Sequence, residues 1–423
     1  MFDPIPILLS NSKDFDIISE PVSLGVPIPI GSVYQTSELR LQDQFGGSIL
    51  SNLKPLAHWP DGSLKWLLLD FQAGLKESNQ SQVLLVGRES SVKEEPYTGK
   101  IYKVAIDDSG ENILINTGTG LFTISKLELS LFEQVSINGV NQLSQQGRQF
   151  QFLDAHGEQA KAVIKSIDTG DKDNFVRRKL TIQGSFLDKS DNIQADYVLT
   201  LTFYAGKSTV KLSFCLKNPH AADHPGGVWD LGDKNSLFFK SLAVEIKLAE
   251  AELNVSTGIK MSPKSHWKTV ESSQFQIYQD SSGGENWQSY NHVNHKGVVP
   301  LSFKGFRYFE QDIQISSGDR ATPTAFLGSE NISVLAHIKD FWQNFPKAIE
   351  VNRNKLILKI YPEQFSDHFE LQGGEQKTHF FYLDFSNNRL ALDGLCSSAL
   401  KAQIPLKFYS KSKVIPWLTP SND

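Results

Sequence analysis

"YVLTLTFYAGKSTVKLSFCLK", residues 197–217, alternates apolar and polar side chains along two arms on either side of Ala205, Gly206 and Lys207. A period of two places every second side chain on one face of a pleated strand, so both arms read as half-buried antiparallel strands. The same alternation recurs in "NKLILKIYPE" (354–363) and "HFFYLDF" (379–385). Between such runs fall "DDSGEN", "NTGTG", "DTGDKDN" and "KSDN", whose Gly, Asn, Asp and Ser residues suit hairpin turns. The longest helical candidate, around "SSALKAQ" (397–403), lasts barely two turns. The chain reads as all-β.

At 423 residues it exceeds the usual single-domain range. A polar break at "VGRESSVKEEPYTG" (86–99) separates a small β domain, residues 1–90, from a large antiparallel β-sandwich, residues 91–408. Residues 409–423, "YSKSKVIPWLTPSND", read as a tail or linker. No fixed-period repeat is visible, which argues against a propeller or solenoid.

Composition narrows the function. With 39% hydrophobic and 21% charged residues the chain can bury a proper core. A net charge of −5 gives nucleic acid no general electrostatic reason to bind. Cys215 and Cys396 supply neither a disulfide framework nor a metal-ligand spacing. The N-terminus lacks a positive n-region, and "IPILL" is too short for a signal peptide or a membrane span. As written the chain reads as cytoplasmic, or as exported if its native N-terminus differs.

Four stretches carry candidate chemistry. In "AHWPDGSLKWLLLDF" (57–71), Pro60-Asp61-Gly62 makes a hairpin turn with Trp59 and Trp66 packed around it, and His58 is structural. In "NPHAADHPGGVWDLGDKNSLFF" (218–239), His220, His224, Asp223, Asp230 and Asp233 offer ligand types, but no metal spacing fits. Aspartates capping their own loop are the plainer account, with Trp229 and Asp230 as a second binding loop.

The densest stretch is "SSGGENWQSYNHVNHKG", residues 281–297. Ser281–Gly284 form a tight turn or a nest of N–H groups. Glu285, Asn286, Gln288 and Asn291 offer the donors and acceptors that sugar hydroxyls require. Trp287 and Tyr290 offer flat apolar faces, and His292 and His295 offer imidazoles that could exchange protons or neutralise a carboxylate. Lys304 and Arg307 follow and could neutralise a uronic acid. The alternative is a long connection folded on itself. In "ELQGGEQKTHFFYLDF" (370–385), Lys377 and His379 share a strand face after a Gly-Gly turn.

"PVSLGVPIPIG" (21–31) with "WPDGSLKWLLLDF" (59–71) resembles the N-terminal RIFT-barrel domain of the exo-rhamnogalacturonan lyase family, polysaccharide lyase family 26, and of the YetA-like proteins. "HPGGVWDLGD", "SSGGENWQSYNHVNHKG" and "LQGGEQKTHFFYLDF" resemble segments of that family's β-rich central domain. The resemblance implies β-elimination at a uronic acid, with no cofactor and no metal, and His292 and His295 as candidate proton-transfer groups. It also implies a helical toroid, expected where this chain stops near "IPWLTPSND". The expected ligand is therefore an acidic polysaccharide, and the expected partner a helical domain or subunit. The competing expectation is a non-catalytic carbohydrate-binding or structural module. A third, a hydrolase, would pair Glu285 with Asp230 or Asp233.

Overall fold

The computed structural model describes residues 2–77, 79–88, 101–144, 149–223, 231–249 and 255–418. The fold is all-β, and the chain divides into two compact units. The first holds residues 1–103, 173–177 and 393–423, and the second holds 104–172 and 178–392.

The first unit has two sheets. One orders its strands Leu400–Gln403, Ile5–Asn11, Gln80–Gly87, Leu39–Asp43 and Ser48–Ile49, and the other orders Ile17–Pro27, Leu64–Leu75 and Ser51–His58. Alternate apolar residues of both sheets, among them Ile7, Leu41, Leu69, Phe71 and Leu85, bury into one common core. The Pro60-Asp61-Gly62 turn joins two of these strands. Trp59 N donates to Ser63 O at 2.8 Å, Gly62 takes φ +84, and Asp61 accepts from the amide and hydroxyl of Ser63. Trp59 is pinned through Nε1 to Ile28 O, and Lys65 stacks on its ring.

The sequence drew the C-terminal boundary elsewhere, and the structure corrects it. Most of "SSALKAQ" is not helical: the helix Asp393–Ser397 ends as the segment begins, and Leu400–Gln403 pairs antiparallel with Ile5–Asn11. Residues 393–408 therefore belong with the barrel strands rather than the sandwich. Leu406–Ser412 is a short helix whose Lys411 bonds Asp3 at 2.7 Å and whose Tyr409 packs near Trp66. Helix and strand propensity could not show this, because the edge that accepts the strand lies at the opposite end of the sequence.

The second unit is built on two large antiparallel sheets. One contains Phe150–Asp154, Leu237–Lys247, Lys355–Tyr361, Lys347–Asn352, Gln274–Gln279, Phe306–Glu310 and Ile313–Gly318 in that order, and Phe369–Leu371 also pairs with Leu237–Lys247. The other runs through Lys161–Asp168, Arg177–Leu187, Ile193–Tyr204, Thr209–Lys217, Gln376–Asp384, Ser333–Ile338, Thr324–Gly328, Ser256–Lys260 and Lys268–Val270. The quoted arms of residues 197–217 are neighbours here, with Tyr197, Leu199, Leu201, Leu212, Phe214 and Leu216 buried. A smaller five-stranded sheet spans Ala105–Asp107 to Val140–Asn141.

Aromatic rings join the large sheets. Phe152 stacks on Phe186 at 4.7 Å and lies 5.3 Å from Phe239, and Phe150 stacks on Phe214 at 5.1 Å. Each ring so buried contributes roughly 1.5–3 kcal/mol. The row continues from Phe239 to Tyr361 and from there to His379.

One buried charge fixes residues 173–177 within the first unit. Asp70, 1% exposed, accepts from the Ser23 hydroxyl, from Asn174 Nδ2 at 2.7 Å and from Arg177 Nη2 at 3.0 Å. Removing one member of such a group leaves the others desolvated without compensation. Asp70→Ala is expected to lower the unfolding free energy of the first unit by about 3–5 kcal/mol. Urea unfolding measures it, and a loss under about 1 kcal/mol would show that the group is solvated and replaceable.

Candidate functional site

Residues 281–305 form one long loop between the strands Gln274–Gln279 and Phe306–Glu310. Its two ends are sewn together. Asp280 accepts from the amides of Ser302 and Phe303 at 2.7 and 3.1 Å, Tyr278 donates its hydroxyl to the same carboxylate, and Ser281 Oγ accepts from Gly305 N at 2.8 Å. Ser289 caps the single turn Tyr290–His292 by accepting from Asn291 N. Asn294 holds the far half, accepting from the amides of Lys296 and Val298 and donating to Asp367 at 2.6 Å. Ser366 Oγ donates to Pro300 O at 2.7 Å.

Glycines let the loop seat against its neighbours. Gly283 has φ +67, and a Cβ there would run into the Asp319 carbonyl oxygen. Gly305, at φ +77, faces the carbonyls of Gly318 and Asp319 in the same way. The Ser281–Gly284 stretch is thus a close-packed turn, in which Gly284 N donates to Ser282 Oγ.

The sequence-predicted residues divide into two groups. Glu285, Asn286, Gln288, Tyr290 and Asn291 are exposed, Tyr290 at 85%, and among the described residues their side chains form no hydrogen bond within the chain. Trp287 is half-buried. His292 and His295 instead meet rings edge-on, His292 at Phe345 and His295 at Phe238, both centroid pairs 5.2 Å apart. Lys304 pairs with Asp319 at 3.1 Å, and the Arg307 guanidinium lies 4.0 Å over the Phe303 ring. Tyr308 faces the core, with its hydroxyl on Glu310. Trp229 and Asp230 lie outside the described residues. Asp233 in the same stretch accepts from the amides of Asp223 and Asn235 and staples its own loop.

Sequence reasoning missed the segment that the loop leans on. Residues 339–346, between the strands Ser333–Ile338 and Lys347–Asn352, bring Phe345 to His292 and Trp342 to Arg320. Beneath them Lys347, 1% exposed, donates from Nζ to Asn344 O at 2.6 Å and Pro346 O at 3.1 Å. Burial holds this amine far below the usual lysine range, and Lys377 adds to the effect. His379 Nε2 lies 3.1 Å from the Tyr361 hydroxyl, and burial followed by the nearby lysines pushes its imidazole well below the usual range. The signal was present as "KDFWQNFPK" (339–347), an aromatic loop ending on a lysine, but its depth depends on the facing sheet.

His337 supports a second segment. Its ring nitrogen Nδ1 donates to Pro323 O at 2.8 Å, and burial brings the imidazole down to about 4.

Against known proteins, residues 12–84 match the PcRGLX-like N-terminal RIFT barrel domain, the region of the N-terminal resemblance. Over 392 residues the chain is 20% identical to the uncharacterized protein YetA of Bacillus subtilis strain 168, covering 82% of this chain and 43% of that protein. The chain thus spans less than half the length of this curated relative. Among solved structures it is similar to a protein in glycosyl hydrolase family 38 from Enterococcus faecalis, with a TM-score of 0.50 and 10% identity over 95% of this chain and 47% of that one. An alpha-mannosidase from Enterococcus faecalis V583 gives a TM-score of 0.46 at 10% identity, over 95% and 46%. At that identity the likeness is one of fold.

Two neutral buried histidines give the second unit an acid sensitivity. The unfolded chain protonates them near 6.5, whereas the fold keeps His337 neutral to about 4 and His379 neutral well below 6.5. Protons then favour the unfolded state, so stability falls as pH drops below 6.5, by up to about 1.4 kcal/mol per pH unit for each histidine. Urea unfolding between pH 7 and pH 5 should show that slope, and His337→Gln should remove about half of it. An unchanged slope would mean that His337 already carries its proton in the fold.

Proposed function

We propose that this chain is the β-rich portion of a carbohydrate-active protein whose ligand is an acidic polysaccharide of the rhamnogalacturonan type. The observation that carries this reading is the exposed row Glu285, Asn286, Gln288, Tyr290 and Asn291, whose hydrogen-bonding groups are unspent on a loop that is otherwise rigidly sewn. Amides and a carboxylate beside half-buried Trp287 match the alternating hydroxyls and C–H faces of a sugar ring. The match to the PcRGLX-like RIFT barrel domain supports it. A likeness of fold to a protein in glycosyl hydrolase family 38 agrees with a carbohydrate setting without fixing a reaction.

In the catalytic form of this reading the reaction is β-elimination. The C5–H bond of a uronate breaks, its electron pair forms the C4–C5 double bond, the C4–O bond breaks, and the leaving oxygen takes up a proton. A helical domain or subunit completes the cleft, and His292 and His295 are the proton-transfer candidates. One observation favours the binding-only form: both imidazoles pack on phenyl edges, with no carboxylate or hydroxyl among the described residues to orient a proton.

Calorimetric titration with rhamnogalacturonan and polygalacturonate oligosaccharides tests the shared reading, and Trp287→Ala is expected to weaken binding about tenfold, as loss of a stacking face does. The ultraviolet absorbance of an unsaturated uronate separates the two forms. Product that the His292→Ala, His295→Ala double variant fails to make establishes elimination by this chain. Binding without product assigns the chain recognition alone, and failure to bind any acidic glycan rejects the reading.

A further inference from the structure

We infer that Arg320, braced on Trp342, is the residue that recognises the carboxylate of the bound glycan. This rests on the proposed acidic-polysaccharide reading and assigns within that site a group that the sequence did not point to.

Arg320 is held before any ligand arrives. Gln279, fully buried, brackets it through the backbone: Nε2 donates to Asp319 O at 2.8 Å, and Oε1 accepts from Ala321 N at 3.0 Å. The second Nε2 hydrogen goes to Ser281 O at 2.7 Å, which ties the same clamp to the start of the 281–305 loop. His337 steadies the segment further along through Pro323 O. The side chain is held as well. Its guanidinium lies 4.2 Å over the Trp342 ring, and Nε donates to Ser282 O at 3.2 Å.

What remains is the outer edge of the guanidinium. Nη2 sits 3.6 Å from where a Cβ of Gly284 would stand, immediately before Glu285 and the exposed amides. Among the described residues no carboxylate pairs with Arg320, whereas Asp319 beside it is already taken by Lys304. A planar fork with its Nε spent on a carbonyl keeps two parallel N–H groups for a carboxylate, and stacking on an indole reduces the rotamer entropy lost on binding. Lys304 is paired with Asp319 and Arg307 is half-buried on Phe303, whereas Arg320 is exposed, so of these three cations Arg320 is the one presented to a ligand.

The test compares binding of polygalacturonate oligomers with binding of the same oligomers fully methyl-esterified, which are neutral. Wild-type chain should prefer the acid form by about tenfold, the scale of a charge-assisted bidentate contact. Arg320→Gln should abolish the preference, whatever it does to the affinity that the two oligomers share. Arg320→Lys keeps the charge without the fork and should restore only part of it, and Trp342→Ala should reduce it by freeing the guanidinium. A preference that survives Arg320→Gln overturns the inference while the glycan-binding reading stands, and so does equal wild-type binding of both oligomers. No binding of either oligomer overturns both.

Discussion

A carbonyl oxygen, that of Asp319, occupies the space where a side chain at residue 283 would begin. Because Gly283 has none, the turn 281–284 can lie directly on the backbone of 318–320, and Gly305 repeats the arrangement at the loop's other end. The rest of the site follows from that approach. Gln279 can reach both segments at once, Ser282 O comes within reach of Arg320, and the exposed half of the loop projects from a base that cannot slide. The tight turn that the sequence places at Ser281–Gly284 can seat on that backbone because Gly283 carries no side chain.

The chemistry separates into groups that are spent and groups that are not. Asn294, Ser289, Asp280 and Asp233 are polar residues consumed by the loops themselves. Glu285, Asn286, Gln288, Tyr290 and Asn291 are of the same kinds, yet they remain open to solvent. Composition cannot tell the two sets apart, since an asparagine that caps a turn and one that binds a hydroxyl look alike in a sequence. Beneath the loops the unit buries a lysine and two histidines, whose pKa values that burial holds down, with carbonyls and a phenol as their hydrogen-bond partners.

The strands were legible because alternation is a local signal. The arms at 197–217, the strands ending at Tyr361 and Asp384, and the hairpin at Pro60-Asp61-Gly62 fall where period and turn residues put them. The long loop was legible as a place, though its histidines turn toward rings. What escaped are relations across the sequence: Arg320 beside Trp342, Tyr361 beside His379 on the facing sheet, and the strand Leu400–Gln403 beside Ile5–Asn11. Each depends on which sheet edge or face lies opposite, and no window of neighbouring residues contains that information.

The last of these has a temporal meaning. Leu8 stands opposite Gln403, so the strand Ile5–Asn11 keeps one edge of unpaired N–H and C=O groups until residues 400–403 have been made. During synthesis the first unit cannot close while the sandwich is being made. It must wait as an incomplete sheet whose open edge is competent to pair with a second nascent chain. Closing so long a loop carries a large entropic cost before any contact rewards it, which places this pairing late in folding.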